Sequence, residues 1–204
     1  MLTALAIGVG IGLYQRPAQG PTEFEHSTVL SAPRNIGPFA MARHDGGEFN
    51  RDSFNGKWTF MFFGYTHCPD VCPNTMAVFN IMDKELKKNN PELRTNTNFA
   101  MVSVDPDRDT VEVMSEFVPY YNPRFIGLTE TVKGHLLALT SQLGIVFLVK
   151  KPETKDDKYI VDHSPSIILV NPQGKFHAVL SAPHDPAGML ADFQVIASQY
   201  EKAS

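Results

Sequence analysis

The chain has few cysteines and no excess of basic charge, and each shortage excludes a class of protein. Its 204 residues include only two cysteines, Cys68 and Cys72, which excludes the multi-disulfide framework of a small secreted scaffold. The formal net charge is -4 and the lysines are scattered, so we expect no nucleic acid partner. The apolar fraction of 43% is that of an ordinary globular protein, and the length suits one domain with a single buried core.

Only one apolar run is a candidate for contact with a membrane, the N-terminal "MLTALAIGVGIGLY". It is 14 residues long and no charged residue occurs before Arg16. As a helix it would span roughly 21 Å, short of the roughly 30 Å hydrocarbon core of a bilayer. No basic residue precedes it, so the first part of an export signal is missing. We predict an uncleaved membrane anchor, with a signal-peptide core as the alternative, and export of the rest of the chain.

A proline-containing stretch separates this run from the remainder. Residues 17–36 contain three prolines and no regular apolar period, which is typical of an extended linker. We therefore predict three segments: an anchor or signal segment at 1–16, the linker at 17–36, and one folded domain at 37–204.

Strands alternate with helices in the predicted domain, which indicates an α/β sandwich. Turn residues 45–47 predict an N-terminal β-hairpin, and the apolar runs at 57–65 and 98–105 predict buried strands. Apolar residues at three- and four-residue intervals predict a helix that follows the cysteines and ends before Pro91. The other predicted elements are helices at about 110–120, 131–143 and 186–202, two strands within 166–181, and an exposed insertion at 150–158.

The cysteines lie four positions apart in "GYTHCPDVCPNTM", where a predicted strand passes into a predicted helix. Cys68 follows the strand and begins the helix, so the partial positive charge at the helix N-terminus favours a thiolate over a thiol at its sulfur. If the helix begins at Cys68, both sulfurs share one face and can reach one ion. A loop at the helix start would instead allow a disulfide. The pair is therefore a candidate redox pair, a candidate metal site or both, and two inert buried cysteines are the structural alternative.

Two thiolates suit a soft ion such as Cu(I), and a third ligand would complete the site. His163 is the better candidate, because it lies just before a predicted strand that would reach the cysteine corner. The residues alone do not decide whether His163 is a metal ligand or a loop histidine next to Asp162. His67 adjoins Cys68, but it points the other way if it still belongs to the strand.

Four segments together resemble the successive motifs of the Sco/SenC family. They are "FMFFGYTHCPDVCPNTM", "VSVDPDRDTVEVM", "PRFIGLTET" and "YIVDHSPSIILVNPQGKF", and the likeness covers roughly residues 38 to 200. The resemblance implies a thioredoxin-like fold with an added N-terminal β-hairpin and an inserted hairpin or loop before the His-bearing strand. It also implies that Cys68, Cys72 and His163 bind copper, as Cu(I) or Cu(II).

The resemblance further implies a function. Such a protein is a copper-binding assembly factor that delivers copper to, or reduces the cysteines of, the binuclear copper site of cytochrome c oxidase. Its partner would be the copper-bearing subunit of the oxidase, or another copper or thiol client. The domain would lie in the periplasm, anchored to the inner membrane, or in the mitochondrial intermembrane space. The main role is that of a metallochaperone, and thiol-disulfide reductase activity through Cys68 and Cys72 is left open.

The alternative function is that of a thiol-disulfide oxidoreductase of the cell envelope with no role in metal delivery. Pro165 favours it, because this residue aligns with the cis-proline of thioredoxin-like reductases, whereas Sco/SenC proteins commonly have another residue there. X-Pro bonds are the ones in which the cis form costs little, roughly 0.5 to 1 kcal/mol. We hypothesise a cis Ser164–Pro165 bond and a stronger thiol chemistry, and a trans bond would remove the reason for this hypothesis.

Two other patterns are interpreted as structural. The acidic residues of "DPDRDTVEVMSE" match several calcium-loop positions, but Thr110 stands where that loop requires glycine. We instead expect Asp109 to cap a helix, with Glu112 three residues on. His177 and His184 are expected to be surface histidines rather than a second copper site.

Overall fold

The computed structural model describes residues 24–150 and 159–203. The predicted anchor, the first part of the predicted linker and nearly all of the predicted insertion at 150–158 lie outside them. Among the described residues, no helix combines the length and the apolar composition needed to cross a membrane.

Within residues 24–150 and 159–203, ten strands and five α-helices alternate, together with a short 3-10 helix at Arg51–Phe54. In chain order they are β1 (Ser27–Asn35), β2 (Ala40–Arg43), β3 (Glu48–Asn50), β4 (Trp58–Gly64), α1 (Val71–Asn89), α2 (Pro91–Thr95), β5 (Thr97–Ser103), α3 (Val111–Tyr121), β6 (Ile126–Thr129), α4 (His135–Leu143), β7 (Phe147–Val149), β8 (Val161–His163), β9 (Ile167–Val170), β10 (Lys175–Leu180) and α5 (Pro186–Ala203).

Eight strands form one mixed sheet in the order β1-β10-β9-β4-β5-β6-β2-β3, and β7 pairs only with β8. Strand β4 lies near the middle of the sheet and is buried along its whole length, as its continuous apolar sequence predicts. It runs parallel to β5 and antiparallel to β9. The C-terminal ends of β4 and β5 and the N-terminal end of β9 therefore lie at the same end of the strands. The site described below lies there.

The fold prediction is confirmed. The architecture is a mixed α/β, thioredoxin-like sheet, and β2 and β3 form the predicted N-terminal hairpin around a turn in which Gly46 has a φ of 85°. Strands β7 and β8 form the second hairpin, placed before β9. His163 is the last residue of β8 itself, so it belongs to this inserted hairpin.

The predicted boundary of the domain at residue 37 is too late. Strand β1 lies in the stretch for which a linker was predicted, and it pairs antiparallel with β10 at the edge of the sheet. Most of its side chains are partly or fully exposed, so it lacks the apolar alternation by which a half-buried strand is recognised. The structured domain therefore includes at least residues 27–35.

Helix α1 connects the core to the cysteine corner. Its buried positions recur every three or four residues and comprise Cys72, Thr75, Met76, Phe79, Met82, Asp83 and Leu86. Phe79 packs on the rings of Phe60 and Phe99, with centroids 6.2 and 5.0 Å away. Removing one such buried aromatic side chain typically costs about 3–5 kcal/mol. The packing of Phe79 thus holds α1, with Cys72 in its first turn, against β4 and β5.

Asp83, further along the same helix, is buried but fully paired. Its carboxylate accepts hydrogen bonds from Arg94 at 3.0 and 2.9 Å, from Asn122 at 3.0 Å, and from Arg124. Burial on its own raises the pKa of this carboxyl, but the surrounding donors and the two guanidinium charges outweigh it and hold the pKa below its usual range. This cluster ties α1 to α2 and to the end of α3.

Candidate metal centre

The loop between β4 and α1 positions both cysteines. Residues 65–70 connect the two elements, and the backbone N–H of Cys68 donates to the carbonyl of Tyr65 at 3.2 Å, which closes a turn. Helix α1 begins at Val71, so the condition that it begins at Cys68 is not met. Cys72 is the second helical residue and Cys68 precedes the helix. The turn, rather than a shared helix face, brings the sulfurs together.

The two cysteines differ in exposure, and neither forms a disulfide. Cys72 is completely buried, whereas Cys68 is half-buried. The N–H of Tyr65 donates to Cys72 Sγ at 3.5 Å. Burial nevertheless raises the pKa of the Cys72 thiol far above its usual range, and this hydrogen bond opposes it only in part. Cys72 therefore keeps its proton in the metal-free protein.

Gly64, the last residue of β4, allows the Cys72 sulfur to lie against the strand. A Cβ atom at this position would lie 2.7 Å from Cys72 Sγ and 2.6 Å from the ring of Phe62. Both distances are too short for non-bonded atoms, so glycine is required here by close approach rather than by an unusual backbone angle.

His163 directs one ring nitrogen at the cysteines. Its Nε2 lies 3.7 Å from Cys72 Sγ, and its Nδ1 lies 3.2 Å from the carbonyl of Ser164. A proton on Nδ1 satisfies that carbonyl and leaves the lone pair of Nε2 facing the sulfur. The rings of Phe62 and Tyr65 each pack against the imidazole at 5.9 Å. Burial among these groups lowers the pKa of His163, so the ring is neutral near pH 7.

The structure brings the three predicted ligands together. Cys68 Sγ, Cys72 Sγ and one ring nitrogen of His163 all lie within 4.8 Å of one another, and they form the one such cluster of potential metal ligands among residues 24–150 and 159–203. Two sulfurs and one imidazole nitrogen suit Cu(I), and the imidazole also accepts Cu(II).

Other histidines lie outside this cluster. His67 lies in the loop after β4 rather than in the strand, so the condition for its expected orientation is not met; it is exposed and contacts its neighbour Thr66. His177 packs edge-on against Trp58, and His184 contacts Thr75. Both are half-buried, so the expectation of surface histidines is only partly correct, but they do not join into a second site in the described part of the chain.

The Ser164–Pro165 bond is trans, because the cis peptide bond of the described residues is Ala182–Pro183. The hypothesis of a cis bond at Pro165 is therefore wrong. The reason for expecting stronger reductase chemistry than in related proteins is removed as well.

Asp109 supports the cysteine loop, a role that the sequence did not indicate. Its buried carboxylate accepts hydrogen bonds from the backbone N–H and hydroxyl of Thr66 at 3.1 and 2.6 Å, and from Ser103 at 2.6 Å. The predicted capping role belongs to Thr110 instead, whose hydroxyl accepts from the N–H of Val113. Asp109 thus fixes the backbone two residues before Cys68.

A second acidic residue of the same loop holds the His-bearing hairpin. The hydroxyl of Tyr159 donates to Asp105 at 2.7 Å, and Arg108 donates to the carbonyl of Tyr159 at 3.1 Å. The guanidinium group of Arg108 also stacks on the Tyr159 ring at 3.6 Å and pairs with Asp105. Tyr159 lies two residues before β8, so this cluster anchors the base of the strand that carries His163.

Residues 28–198 match the SCO1/SenC family. The chain belongs to this family. Protein SCO2 homolog, mitochondrial, of Homo sapiens is 37% identical over 142 residues, which are 69% of this chain and 51% of that protein. Protein SCO1 homolog 1, mitochondrial, of Arabidopsis thaliana is 33% identical over 149 residues, which are 73% of this chain and 43% of that protein. The chain thus spans about half the length of these relatives, and the predicted family resemblance is confirmed.

Solved structures of SCO1/SenC proteins share the fold. The crystal structure of Arabidopsis thaliana ScoI with copper bound has a TM-score of 0.68 at 30% identity and covers 78% of this chain and 97% of its own. The structure of Bradyrhizobium japonicum ScoI with copper bound has a TM-score of 0.67 at 30% identity, covering 78% and 98%. The family match at residues 28–198 includes the β4–α1 corner and both hairpins.

Proposed function

We propose that this chain binds one copper ion through Cys68, Cys72 and His163, and that it is a copper-binding assembly factor for the binuclear copper site of cytochrome c oxidase. The observation that carries the proposal is the convergence of two sulfurs and a neutral imidazole nitrogen within 4.8 Å. The copper present in the ScoI structures of two related proteins supports the choice of metal.

Each of the three proposed ligands contributes differently to copper binding. Cys72 is the fixed ligand, because it is buried and its sulfur lies against Gly64 and the N–H of Tyr65. His163 presents Nε2 because Nδ1 is occupied by the carbonyl of Ser164. Cys68 is the more exposed sulfur, so a partner's ligand reaches the site from its side. Both thiols lose their protons when the metal binds, so binding releases protons into solution.

The copper-bearing subunit of the oxidase is the proposed client, and another copper or thiol protein is the alternative. The mitochondrial SCO1 and SCO2 homologs support an exported domain. We place it in the periplasm or the intermembrane space, tethered by an anchor at residues 1–16. Copper is delivered when sulfur or nitrogen ligands of the client replace Cys68, Cys72 and His163 on the ion. The domain then returns to its metal-free state.

The second candidate is thiol-disulfide exchange by the same cysteines, which the exposure of Cys68 favours. The Cys68 thiolate attacks a client disulfide, forms a mixed disulfide and releases one client thiolate. Cys72 then displaces the other client sulfur, so the client gains two electrons and the Cys68–Cys72 pair becomes a disulfide. The raised pKa of Cys72 opposes the second step in the metal-free protein.

An anaerobic Cu(I) titration of the reduced chain tests the assignment. We expect one tightly bound copper ion per wild-type chain and none in Cys72→Ser. In His163→Ala the affinity should fall by at least the roughly 10- to 100-fold that loss of an outer-shell partner causes. His184→Ala is the matched control, since it removes another half-buried histidine beside α1, and it should bind as the wild type does.

The same variants separate the two candidates. If His163→Ala bound copper as tightly as the wild type while every form with both cysteines reduced a test disulfide, the reductase would be the better account. If copper binding followed all three residues and disulfide reduction were negligible, the metallochaperone role would stand alone.

A further inference from the structure

A groove opens directly beside the cysteine corner. It lies between the start of the β4–α1 loop and helix α3, has a volume of about 350 Å³, and is lined by Thr66, His67, Val113, Glu116, Phe117 and Tyr120. Thr66 and His67 immediately precede Cys68 along the chain. The groove therefore adjoins the more exposed of the two sulfurs without including any of the three proposed ligands.

One side of the groove presents aromatic surface. Tyr120 is 85% exposed, the most exposed of the large apolar side chains in the described residues. Its ring meets that of Tyr121 edge-on at 5.4 Å, and Tyr121 in turn packs on Phe117 at 5.3 Å. A large aromatic ring held at the surface, beside a half-buried one, is typical of a protein contact site.

The charge around the groove is of one sign. The residues that line the groove include Glu116 and no lysine or arginine, and the flanking segments 64–81 and 111–121 add Asp70 and Glu112 but no lysine or arginine, although the chain has 18 of these basic residues. In the loop before α3, Arg108 is engaged by Asp105 and by the ring of Tyr159. Apart from His67, only acidic side chains therefore supply charge from these two segments.

We propose that this groove binds a lysine- or arginine-bearing segment of the protein with which the chain exchanges copper. A cationic side chain fits beside Glu116 and over the face of Tyr120, where the carboxylate and the aromatic ring both attract it. Successive residues of a bound segment are spaced by about 3.8 Å. A cysteine or histidine close to the basic residue thus arrives at Cys68. The proposal rests on the proposed function, because it names the surface that a copper partner uses.

Binding of a peptide to the metal-free protein tests the groove without reference to copper. The probes are two cysteine-free pentapeptides, Gly-Arg-Ser-Arg-Gly and Gly-Glu-Ser-Glu-Gly, titrated against the ¹⁵N-labelled chain by NMR. We expect the arginine peptide to shift the amide signals of residues 66–67, 113–118 and 120, and the glutamate peptide to leave them unchanged. The shifts should disappear in Glu116→Gln and Tyr120→Ser, and they should shrink as salt is added.

Copper transfer provides the functional readout. The copper-loaded chain is mixed with dithiol peptides that differ only in whether arginine or glutamate flanks the cysteines. We expect transfer to the arginine peptide to be about tenfold faster, the lower end of the range for electrostatic steering. The ratio should approach one in Glu116→Gln and Tyr120→Ser, whose side chains are exposed and whose fold is checked by circular dichroism.

Matched controls distinguish the groove from general surface effects. Leu137→Ser removes another exposed apolar side chain, on α4, and Glu201→Gln removes an exposed carboxylate at the end of α5. Both should retain the wild-type ratio. If the wild-type chain bound copper but transferred it equally fast to both peptides and showed no shifts, the groove proposal would be overturned while the proposed function stood. If the arginine peptide shifted the groove signals but the chain bound no copper, the groove would stand and the proposed function would fail.

Discussion

Helix α1 carries a buried polar side chain near each end, Cys72 in its first turn and Asp83 roughly 16 Å further along the axis. The carboxylate of Asp83 meets two arginines and an asparagine, so its charge is balanced and its acceptor sites are used. The sulfur of Cys72 meets one backbone N–H, another sulfur and the lone-pair side of an imidazole.

The difference separates a structural cluster from the proposed metal-binding site. Around Asp83 the protein itself supplies the positive charge, so nothing more is needed. Around Cys72 it supplies three electron-pair donors within 4.8 Å and no cationic side chain among them. In the metal-free protein Cys72 is a neutral thiol and His163 a neutral imidazole, as the raised pKa of Cys72 and the lowered pKa of His163 indicate. The three donors are fully satisfied when a cation takes the place of the protons on sulfur.

Breaking the paired cluster should produce the largest loss of stability. Asp83→Asn leaves Arg94 and Arg124 without their carboxylate, and we expect a loss of about 3 kcal/mol. This is the lower end of the range for a broken buried ion pair, because both arginines retain contact with water. Urea unfolding measures the change, while the copper stoichiometry of the folded variant should remain one.

The control for this substitution is Asp52→Asn. Asp52 forms a surface pair with Arg51, and its side chain is 81% exposed, so we expect a change of at most about 0.5 kcal/mol. A loss of copper binding in Asp83→Asn at unchanged stability would contradict the division of α1 into a structural and a binding cluster.

Much of this arrangement can be predicted from local sequence signals. The continuous apolar run of β4 and the three- and four-residue spacing along α1 specify a buried strand followed by a helix on the core. The cysteines at their junction, together with the family motifs, single out Cys68, Cys72 and His163. The geometry adds that these side chains meet, which no local pattern shows for residues 91 positions apart, such as Cys72 and His163.

The features that the sequence did not predict have a common cause. The contact of Asp109 with Thr66 spans 43 positions and that of Tyr159 with Asp105 spans 54, so no periodicity or motif spacing reports them. Strand β1 escapes recognition because it lies at an edge of the sheet with exposed side chains. The turn at Cys68 depends on a hydrogen bond between backbone atoms, which any residue type except proline can donate.

Filling the space beside the Cys72 sulfur should reduce both the stability of the fold and its copper affinity. Gly64→Ala places a methyl group against Cys72 Sγ and Phe62, and we expect a loss of stability of about 1–3 kcal/mol, as for an overpacked core. Because the sulfur must shift, copper affinity should fall as well, as measured by competition with a Cu(I) chelator.

Gly47→Ala is the matched control for that prediction. A Cβ atom there meets Arg43 Cδ and Asp45 Oδ1 at 3.3 Å, both in surface side chains that can shift by a few tenths of an ångström, so we expect a change within about 0.5 kcal/mol and no effect on copper. An unchanged copper affinity in Gly64→Ala would show that the position of Cys72 is not fixed by the strand.

Loosening the hairpin base should reduce copper affinity and stability by similar amounts. Tyr159→Phe removes one hydrogen bond to the Asp105 carboxylate, which is worth about 1.5 kcal/mol, the lower end of the range for a bond to a charged group, and leaves the aromatic stack on Arg108 in place. We expect copper affinity to fall about 10-fold, as for other outer-shell changes, because His163 loses part of its support. Tyr120→Phe, an equal change at an exposed site, should bind copper as the wild type does. Equal affinity in the two variants would rule out a positioning role for Tyr159.

Acid should weaken the paired cluster selectively. The pKa of Asp83 is lowered in the folded protein, whereas an unfolded aspartate titrates near its ordinary value of about 3.9. The folded state therefore binds fewer protons at this residue than the unfolded state, and its contribution to stability is fully present above that ordinary value. It is lost as the pH falls through the folded pKa. Urea unfolding of metal-free wild type and Asp83→Asn between pH 7 and pH 3 should show the difference in stability narrowing at the acid end. Every other titrating group is shared by the two proteins and cancels in that difference, so a constant gap would mean that Asp83 is not held as a carboxylate by its arginines.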